Sequence, residues 1–338
     1  MAKSYNVAVV GATGVVGQEF LRILAQRRFP LRSLKLIASP RSAGTKMLFG
    51  EHQIEVEALT HRSFDGCDLA FISATDEVSR EYAPAAVKAG AVVIDDSGAW
   101  RMDPEVPLVI PEVNGEDVAK HKGILAIPNC ATTPVVMTLW PIHKVNRVKR
   151  VIAATYQSVS GTGRAAVSEL EMSTRRALAG EVVVPHVYPH QIAFNLIPEI
   201  GSWKDDGYTS EEWKLVNETR KIMHDDAIAI AATCVRVPVF VAHSAAVFAE
   251  LTRPMEPEAV VELLSAAPGV AVQDEPSVSL YPQPREAAGK DPVFVGRIRR
   301  DLSHPNGIAY WVVGDNLRKG AALNALQIAE VLIARSLL

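Results

Sequence analysis

The chain has 338 residues, 48% hydrophobic and 22% charged, an ordinary soluble composition long enough for two domains. Its net charge of -3 at pH 7 and the lack of any basic stretch argue against a nucleic-acid or polyanion partner. Three cysteines without framework spacing, no apolar run near the roughly 18 residues of a membrane span, and a start that passes straight into a strand pattern predict a cytoplasmic protein with no membrane association.

In chain order, Tyr5–Val10 is a short β-branched run and reads as a buried strand. It leads into Gly11-Ala12-Thr13-Gly14-Val15-Val16-Gly17 and then the helical spacing of Phe20, Leu21, Ile23 and Leu24. Glycines between a strand and a helix allow a tight turn, close approach of backbone to a pyrophosphate, and close helix–sheet packing. The GxxGxxG spacing is a variant that says little alone, but in this context it predicts dinucleotide binding. The next strand, Leu34–Ala38, ends without the acid that holds a ribose 2′-hydroxyl. Instead Arg41, with Ser39 and Ser42, can grip a 2′-phosphate, so NADP is expected rather than NAD.

Asp68–Ser73 reads as a third strand with Ala74-Thr75 at its cofactor end, followed by a helix from about Glu77 to Lys88 and a strand over Ala91–Ile94. Val106–Asn114 reads as a further extended segment. This alternation is the pattern of a doubly wound parallel sheet. Gly123–Ile127 then reads as a strand that delivers Asn129-Cys130 to its carboxyl end. Thr133 is the expected N-cap of the following helix, with Pro134 at its first position. A thiol beside a helix N-terminus is favoured as thiolate by the macrodipole, which marks Cys130 as a nucleophile.

Past residue 135 the texture changes. Strands are expected at Val151–Gln157, Ala227–Val237 and Ser244–Leu251, with helices near Ala165–Ala179 and Ser210–His224, an α+β arrangement. Arg236 and His243 lie seven apart, so in one unbroken strand they would face opposite sides of a sheet. Pro238 predicts a break that re-aims them. His186 and His190 are separated by Pro189 with no third ligand nearby, so no metal site is expected. Cys67 and Cys234 read as structural, Pro282–Pro292 as a surface loop, and Gly320–Ala334 as a strongly amphipathic helix that returns to cover the nucleotide domain.

Several motifs now coincide in order along the whole chain: GATGVVG, DDSGAWRM, PNCATTP, YQSVSGTG, SEEWK, CVRVPVFVAHS and GDNLRKGAALNALQIAE. Together they closely resemble aspartate-semialdehyde dehydrogenase, the family that reduces β-aspartyl phosphate in the aspartate pathway to lysine, methionine, threonine and diaminopimelate. The resemblance implies a Rossmann-type NADP-binding domain over residues 1–130, completed by 316–338, and a substrate and dimerisation domain over 131–315. It implies a homodimer with the active site in a crevice between domains. By motif position, Cys130 is the acylated nucleophile, Gln157 orients substrate and thioester, and His243 is the acid/base histidine. Arg236 binds the substrate carboxylate, Arg101 and Lys214 the phosphate, and Glu211 faces the amino group, with Asn129 beside the nucleophile. Gly11, Ala12, Thr13, Gly14, Val15, Arg41, Ser42, Thr75, Ser160, Gly161 and Asn316 fall on cofactor contacts. One departure is Thr75-Asp76, where the family often has a glycine pair.

The chemistry asks for these residue types independently. Reductive dephosphorylation of an acyl phosphate needs a thiolate that attacks and leaves well. It also uses a histidine for protons, cations for carboxylate and phosphate, and a carboxylate for the ammonium. N-acetyl-γ-glutamyl-phosphate reductase runs the same chemistry on an acylated amine. Glu211 and the Asn129-Cys130 pair favour the free amino acid. A non-catalytic NADP-binding sensor would have no use for Cys130, Gln157 and His243 together.

Overall fold

The computed structural model describes residues 3–338, which form two compact units. The first takes in the chain up to Asn129 together with Ala321–Leu338; the second is Cys130–Gly320.

The first unit holds strands β1 (Tyr5–Val10), β2 (Leu31–Ala38), β3 (Lys46–Phe49), β4 (His52–Ala58), β5 (Leu69–Ile72), β6 (Val92–Asp95) and β7 (Ile124–Ala126). They form one sheet in the order β3-β4-β2-β1-β5-β6-β7, parallel except for β3. Helices α1 (Val15–Gln26) and α2 (Asp76–Lys88) lie among the crossovers. The strands are apolar on both faces because both faces are covered. In β1, Val7 and Val9 join one buried cluster with Phe20, Ile23 and Leu24 of α1, whereas Ala8 and Val10 join the cluster with Ala83 and Ala86 of α2. Phe20 stacks on Phe71 with ring centroids 4.1 Å apart.

The expected extension over Val106–Asn114 holds only to Ile110. Pro111–Asn114 instead forms a helical turn, α3, which Asn114 closes by accepting the Ile110 N–H on its side-chain oxygen (2.9 Å). The last helix, Leu323–Ala334, packs on the α1 face. It is not an amphipathic surface helix: Leu323, Asn324, Ala325, Leu326, Ile328, Ala329 and Leu332 are buried, so its small and branched residues face protein nearly all round.

The second unit contains α4 (Thr132–Val145), β8 (Val148–Gln157), α5 (Arg164–Leu178), α6 (Ser210–Met223), β9 (Ala229–Arg236), β10 (His243–Leu251), α7 (Pro257–Ser265), β11 (Val270–Val272), α8 (Pro284–Ala287), β12 (Val293–Arg300) and β13 (Gly307–Gly314). The terminal helix of the first unit is α9. The second unit's six-stranded mixed sheet runs β11-β12-β13-β10-β8-β9. Helices α4, α6 and α7 pack along one face. On the other, Ile152 and Thr233 are exposed and Phe248 and Trp311 only half-buried. The Pro282–Pro292 segment is not simply a surface loop, since α8 lies within it and buries Ala287. No helix among the described residues is long and apolar enough to cross a membrane.

Candidate active site

At the nucleotide end of the first unit, the N–H groups of Gly11 and Ala12 both donate to the Ile37 carbonyl (2.9 and 3.2 Å), fixing the turn after β1. Gly11 has φ +81°, and a Cβ there would stand 2.0 Å from the Ser73 carbonyl oxygen, so only glycine fits. Gly14 donates to Gly11 (2.9 Å), and α1 starts at Val15 with no side-chain cap. Its first-turn N–H groups therefore remain available to an anion such as a pyrophosphate. The residues expected to hold a dinucleotide, Gly11 through Val15, make a cradle that fits one.

Arg41 and Ser42 lie in a short 3-10 turn directly after β2, with Arg41 exposed. Thr75, assigned to the cofactor on resemblance, caps α2, its hydroxyl accepting the Val78 N–H (3.4 Å). Asp76 accepts the Gly98 N–H (2.8 Å) and pairs with Arg80 (3.6 Å). The pair that replaces the family's glycines thus fastens the helix start to the turn after β6. Arg101 is buried in this unit and donates to the Asp96 carbonyl (2.8 Å). Asn129, where the first segment of this unit ends, is buried as well.

In the second unit three strand ends meet. β8 and β9 run parallel with Gln157 opposite Arg236, while β10 runs antiparallel on the other side of β8 with Ser244 opposite Tyr156. The register carried one residue on sets His243 opposite Gln157. The break predicted at Pro238 is the crossing 237–242, which takes the chain from one flank of β8 to the other. Its Val239 and Phe240 carbonyls accept the N–H groups of Val159 and Ser160 (2.9 and 3.1 Å). Gln157, Arg236 and His243 are therefore neighbours on one face and are all buried.

Cys130 comes to this cluster. Its Sγ lies 3.3 Å from His243 Nε2, and the thiol is half-buried. The helix that follows starts at Thr132 with Ala131 as its N-cap residue, so Thr133 is not the cap and Pro134 is the third helical residue. Thr133 is fully buried, and the first turn tolerates Pro134 because its N–H would have no helical partner anyway. The shift brings Cys130 within two residues of the helix start. The other thiols are unsuited to chemistry, since burial raises both and pushes Cys234 to about 12.

His243 is fully enclosed, and burial, reinforced by the positive charge of Arg236 and opposed by Glu211, pulls its imidazole down to about 3. Its Nδ1 accepts the Ser158 main-chain N–H (3.0 Å) and lies 3.0 Å from the Ser158 hydroxyl. Arg236 donates from Nη1 to the Ser158 carbonyl (2.7 Å), and its guanidinium lies 5.9 Å from the Tyr188 ring centre. Arg236 Nε is buried with no hydrogen-bond partner among the described residues. A buried donor without an acceptor is costly unless a ligand supplies one. Glu211 pairs with Lys214 (3.2 Å), whose side chain is partly exposed.

Gly161 closes the site: a Cβ there would stand 3.2 Å from His243 Nε2 and 3.3 Å from Arg236 Nη1. Ser160 and Asn316 are buried and bonded to each other (2.9 Å). Two contributors escape sequence reasoning. Ser158 acts chiefly through its main-chain N–H, which any residue type but proline supplies. Tyr188 lies in the His186–His190 segment that drew attention only for its histidines. That segment is held by Glu169, whose carboxylate accepts the N–H groups of His186, Val187 and Tyr188 (2.8, 2.5 and 3.3 Å).

Two family models match the chain: the semialdehyde dehydrogenase NAD-binding domain over residues 6–121 and the semialdehyde dehydrogenase dimerisation domain over residues 139–319. The aspartate-semialdehyde dehydrogenase of Aquifex aeolicus is 50% identical over 338 residues, covering 99% of each chain. Among solved structures, aspartate semialdehyde dehydrogenase II of Vibrio cholerae complexed with ASA superposes with a TM-score of 0.96 at 42% identity, covering 98% of this chain and 99% of that one. Aspartate semialdehyde dehydrogenase of Candida albicans with NADP gives 0.77 at 26% identity, covering 99% of this chain and all of the other.

Proposed function

The chain belongs to the aspartate-semialdehyde dehydrogenase family, and on that premise we propose that it converts L-4-aspartyl phosphate to L-aspartate 4-semialdehyde through a thioester on Cys130, with NADP as cofactor. The observation that carries this reading is the Cys130 Sγ–His243 Nε2 contact of 3.3 Å beside a buried arginine that has an unsatisfied nitrogen.

Cys130 attacks the acyl carbon as thiolate, and the resulting oxyanion collapses to expel phosphate, which Arg101 and Lys214 receive. Arg236 takes the α-carboxylate, a role for which its buried, unpartnered Nε suits it. Glu211 takes the ammonium, and Gln157 orients the acyl group. When bound, the nicotinamide supplies the hydride that reduces the thioester. His243 holds a proton beside the sulfur and near the oxygen on which charge develops. Cofactor choice rests on Arg41, which stands after β2 where an NAD site has an acid. Ser160, Gly161 and Asn316 complete the cofactor side. The half-buried sheet face around Ile152, Phe248 and Trp311 is the surface proposed to pair two copies. A biosynthetic role in the cytoplasm accords with an odd count of three cysteines that have no framework spacing.

Phosphate-dependent reduction of NADP⁺ with L-aspartate semialdehyde tests the reading, run beside N-acetyl-glutamate semialdehyde and with NAD⁺ substituted. Turnover with the free amino-aldehyde and a preference for NADP⁺ are expected. Turnover with the acylated substrate would overturn the assignment of Glu211, and parity between cofactors that of Arg41.

A further inference from the structure

The arginine proposed to take the α-carboxylate is gripped by a segment to which the reaction gives no part, residues 186–197. At one end Ile197 pairs with Arg236 through two main-chain hydrogen bonds (2.8 and 3.0 Å), on the side of β9 away from β8. In the middle, Ile192 and Ala193 are buried with Val159, Ala166 and Leu170, and Tyr188 packs on the same cluster. At the other end the Glu169 carboxylate of α5, itself buried, accepts three consecutive N–H groups, those of His186, Val187 and Tyr188. A carboxylate accepts such burial only where hydrogen bonds replace its water, so the same three bonds hold Glu169 and the segment together. Tyr188 is thereby presented to Arg236, with the guanidinium carbon 5.9 Å from the ring centre. Its hydroxyl donates to Thr162 Oγ1 (3.0 Å), one residue past Gly161.

These contacts leave Arg236 one edge to offer. Nη1 is spent on the Ser158 carbonyl and is crowded by Gly161, where a Cβ would stand 3.3 Å away. Nε is buried with no hydrogen-bond partner among the described residues. Nε and Nη2 form the side of the fork that receives a carboxylate in two parallel bonds, and those bonds lie in the guanidinium plane. From this arrangement we infer that Tyr188 is a specificity-determining residue for the proposed substrate, and that Glu169 is the positioning residue that holds it in place. The inference rests on the proposed reaction, in which Arg236 takes the α-carboxylate and Glu211 the ammonium. As a π face, the ring stabilises the cation and keeps its plane from turning. As a wall, it confines the carboxylate to that plane. Once carboxylate, ammonium and reacting carbonyl each have a fixed group to meet, the configuration at the substrate's Cα is fixed as well. Inverting it while the other contacts are kept takes the carboxylate out of the guanidinium plane. Tyr188 therefore selects the L enantiomer, a choice that neither Cys130 nor the phosphate-binding cations can make alone.

Phosphate-dependent NADP⁺ reduction with both enantiomers of aspartate semialdehyde tests this. Tyr188→Leu keeps much of the packing volume but removes the π face. It is expected to raise the KM for the L aldehyde about 3- to 30-fold and to narrow the L-over-D ratio of kcat/KM by at least about tenfold. The KM values for phosphate and NADP⁺ should stay within about twofold of wild type. Tyr188→Phe retains the ring and loses only the Thr162 bond, so its enantiomer ratio should stay within about threefold of wild type. Glu169→Gln offers one acceptor oxygen where the carboxylate offered two, and it should move the aldehyde KM and the ratio in the same direction as Tyr188→Leu. An unchanged aldehyde KM and ratio in Tyr188→Leu would overturn the role of the ring, as would equal losses in Tyr188→Leu and Tyr188→Phe. A parallel rise in all three KM values would reduce the segment to structural support. Wild-type behaviour of Glu169→Gln would overturn its positioning role. Tyr188 is only half-buried, and unfolding scans should show every variant folded. No turnover of L-aspartate semialdehyde by the wild type would defeat the proposed function itself, a result distinct from all of these.

Discussion

A cysteine beside an imidazole nitrogen can exchange a proton with that ring, and here the main chain turns Nε2 of His243 toward the sulfur. Cys130→Ala should abolish phosphate-dependent turnover and Cys130→Ser should leave at most traces, a loss of at least about a thousandfold, since serine is the poorer nucleophile and leaving group. Gly161→Ala presses a methyl against His243 Nε2 and Arg236 Nη1. Steady-state kinetics should show at least a tenfold fall in kcat/KM, while the unfolding midpoint moves little. The buried imidazole also links stability to pH. Because its folded-state pKa is pulled to about 3, the unfolded chain binds the extra proton between there and the ordinary value near 6.5. The free energy of unfolding should therefore fall as pH drops from 6.5 toward 4, by up to about 1.4 kcal/mol per pH unit from this group. Denaturant titrations of wild type and His243→Gln at several pH values check it: the wild type should lose more. Cys130 itself was legible in the sequence from its setting after a strand and before Thr-Thr-Pro. The donor that orients its partner was not, because a main-chain N–H has no letter in the sequence.

At the level of elements, the site is the place where β8 and β9 end and β10 begins. The odd spacing of Arg236 and His243 pointed to a break, and the break crosses β8. What the spacing could not show is the left-handed turn at Ala242, since alanine gives no signal for positive φ. Its energetic sign is testable. Ala242→Gly relieves about 1–2 kcal/mol of backbone strain and adds roughly 0.5–1 kcal/mol of chain entropy to the unfolded state. Unfolding should show a neutral to slightly stabilising change. Ala245→Gly, buried in the same strand, should destabilise by about 1–2 kcal/mol. The start of α4 was misjudged by two residues because threonines and a proline fit several first-turn positions equally well.

For the molecule as a whole, the strand and helix alternation up to about residue 130 pointed to the parallel sheet, and the change of texture past residue 135 to a second, mixed arrangement. The character of α9 did not show in the pattern. Its apolar positions suggested a stripe, yet residues on nearly every side are buried, because a helix of alanines and leucines reads alike whether one face or all are covered. The open face of the six-stranded sheet gives a further expectation. Ile152→Glu places a charge on an exposed position beside Phe248 and should shift the chain from dimer to monomer in sedimentation velocity, with the isolated fold retained.

The return of α9 also governs how the protein is made. Ribosomes deliver the β1–β7 sheet first, but the helix that completes the α1-side core follows the whole of the second unit. At about 5–20 residues per second, the intervening stretch Cys130–Gly320 imposes a wait of roughly 10–40 s. During that interval Val9, Ile94 and Leu125 lack the α9 side chains that cover them in the finished protein. Until α9 arrives, the α1 side of this sheet is an incomplete core whose apolar surface is open to misassociation in the growing chain.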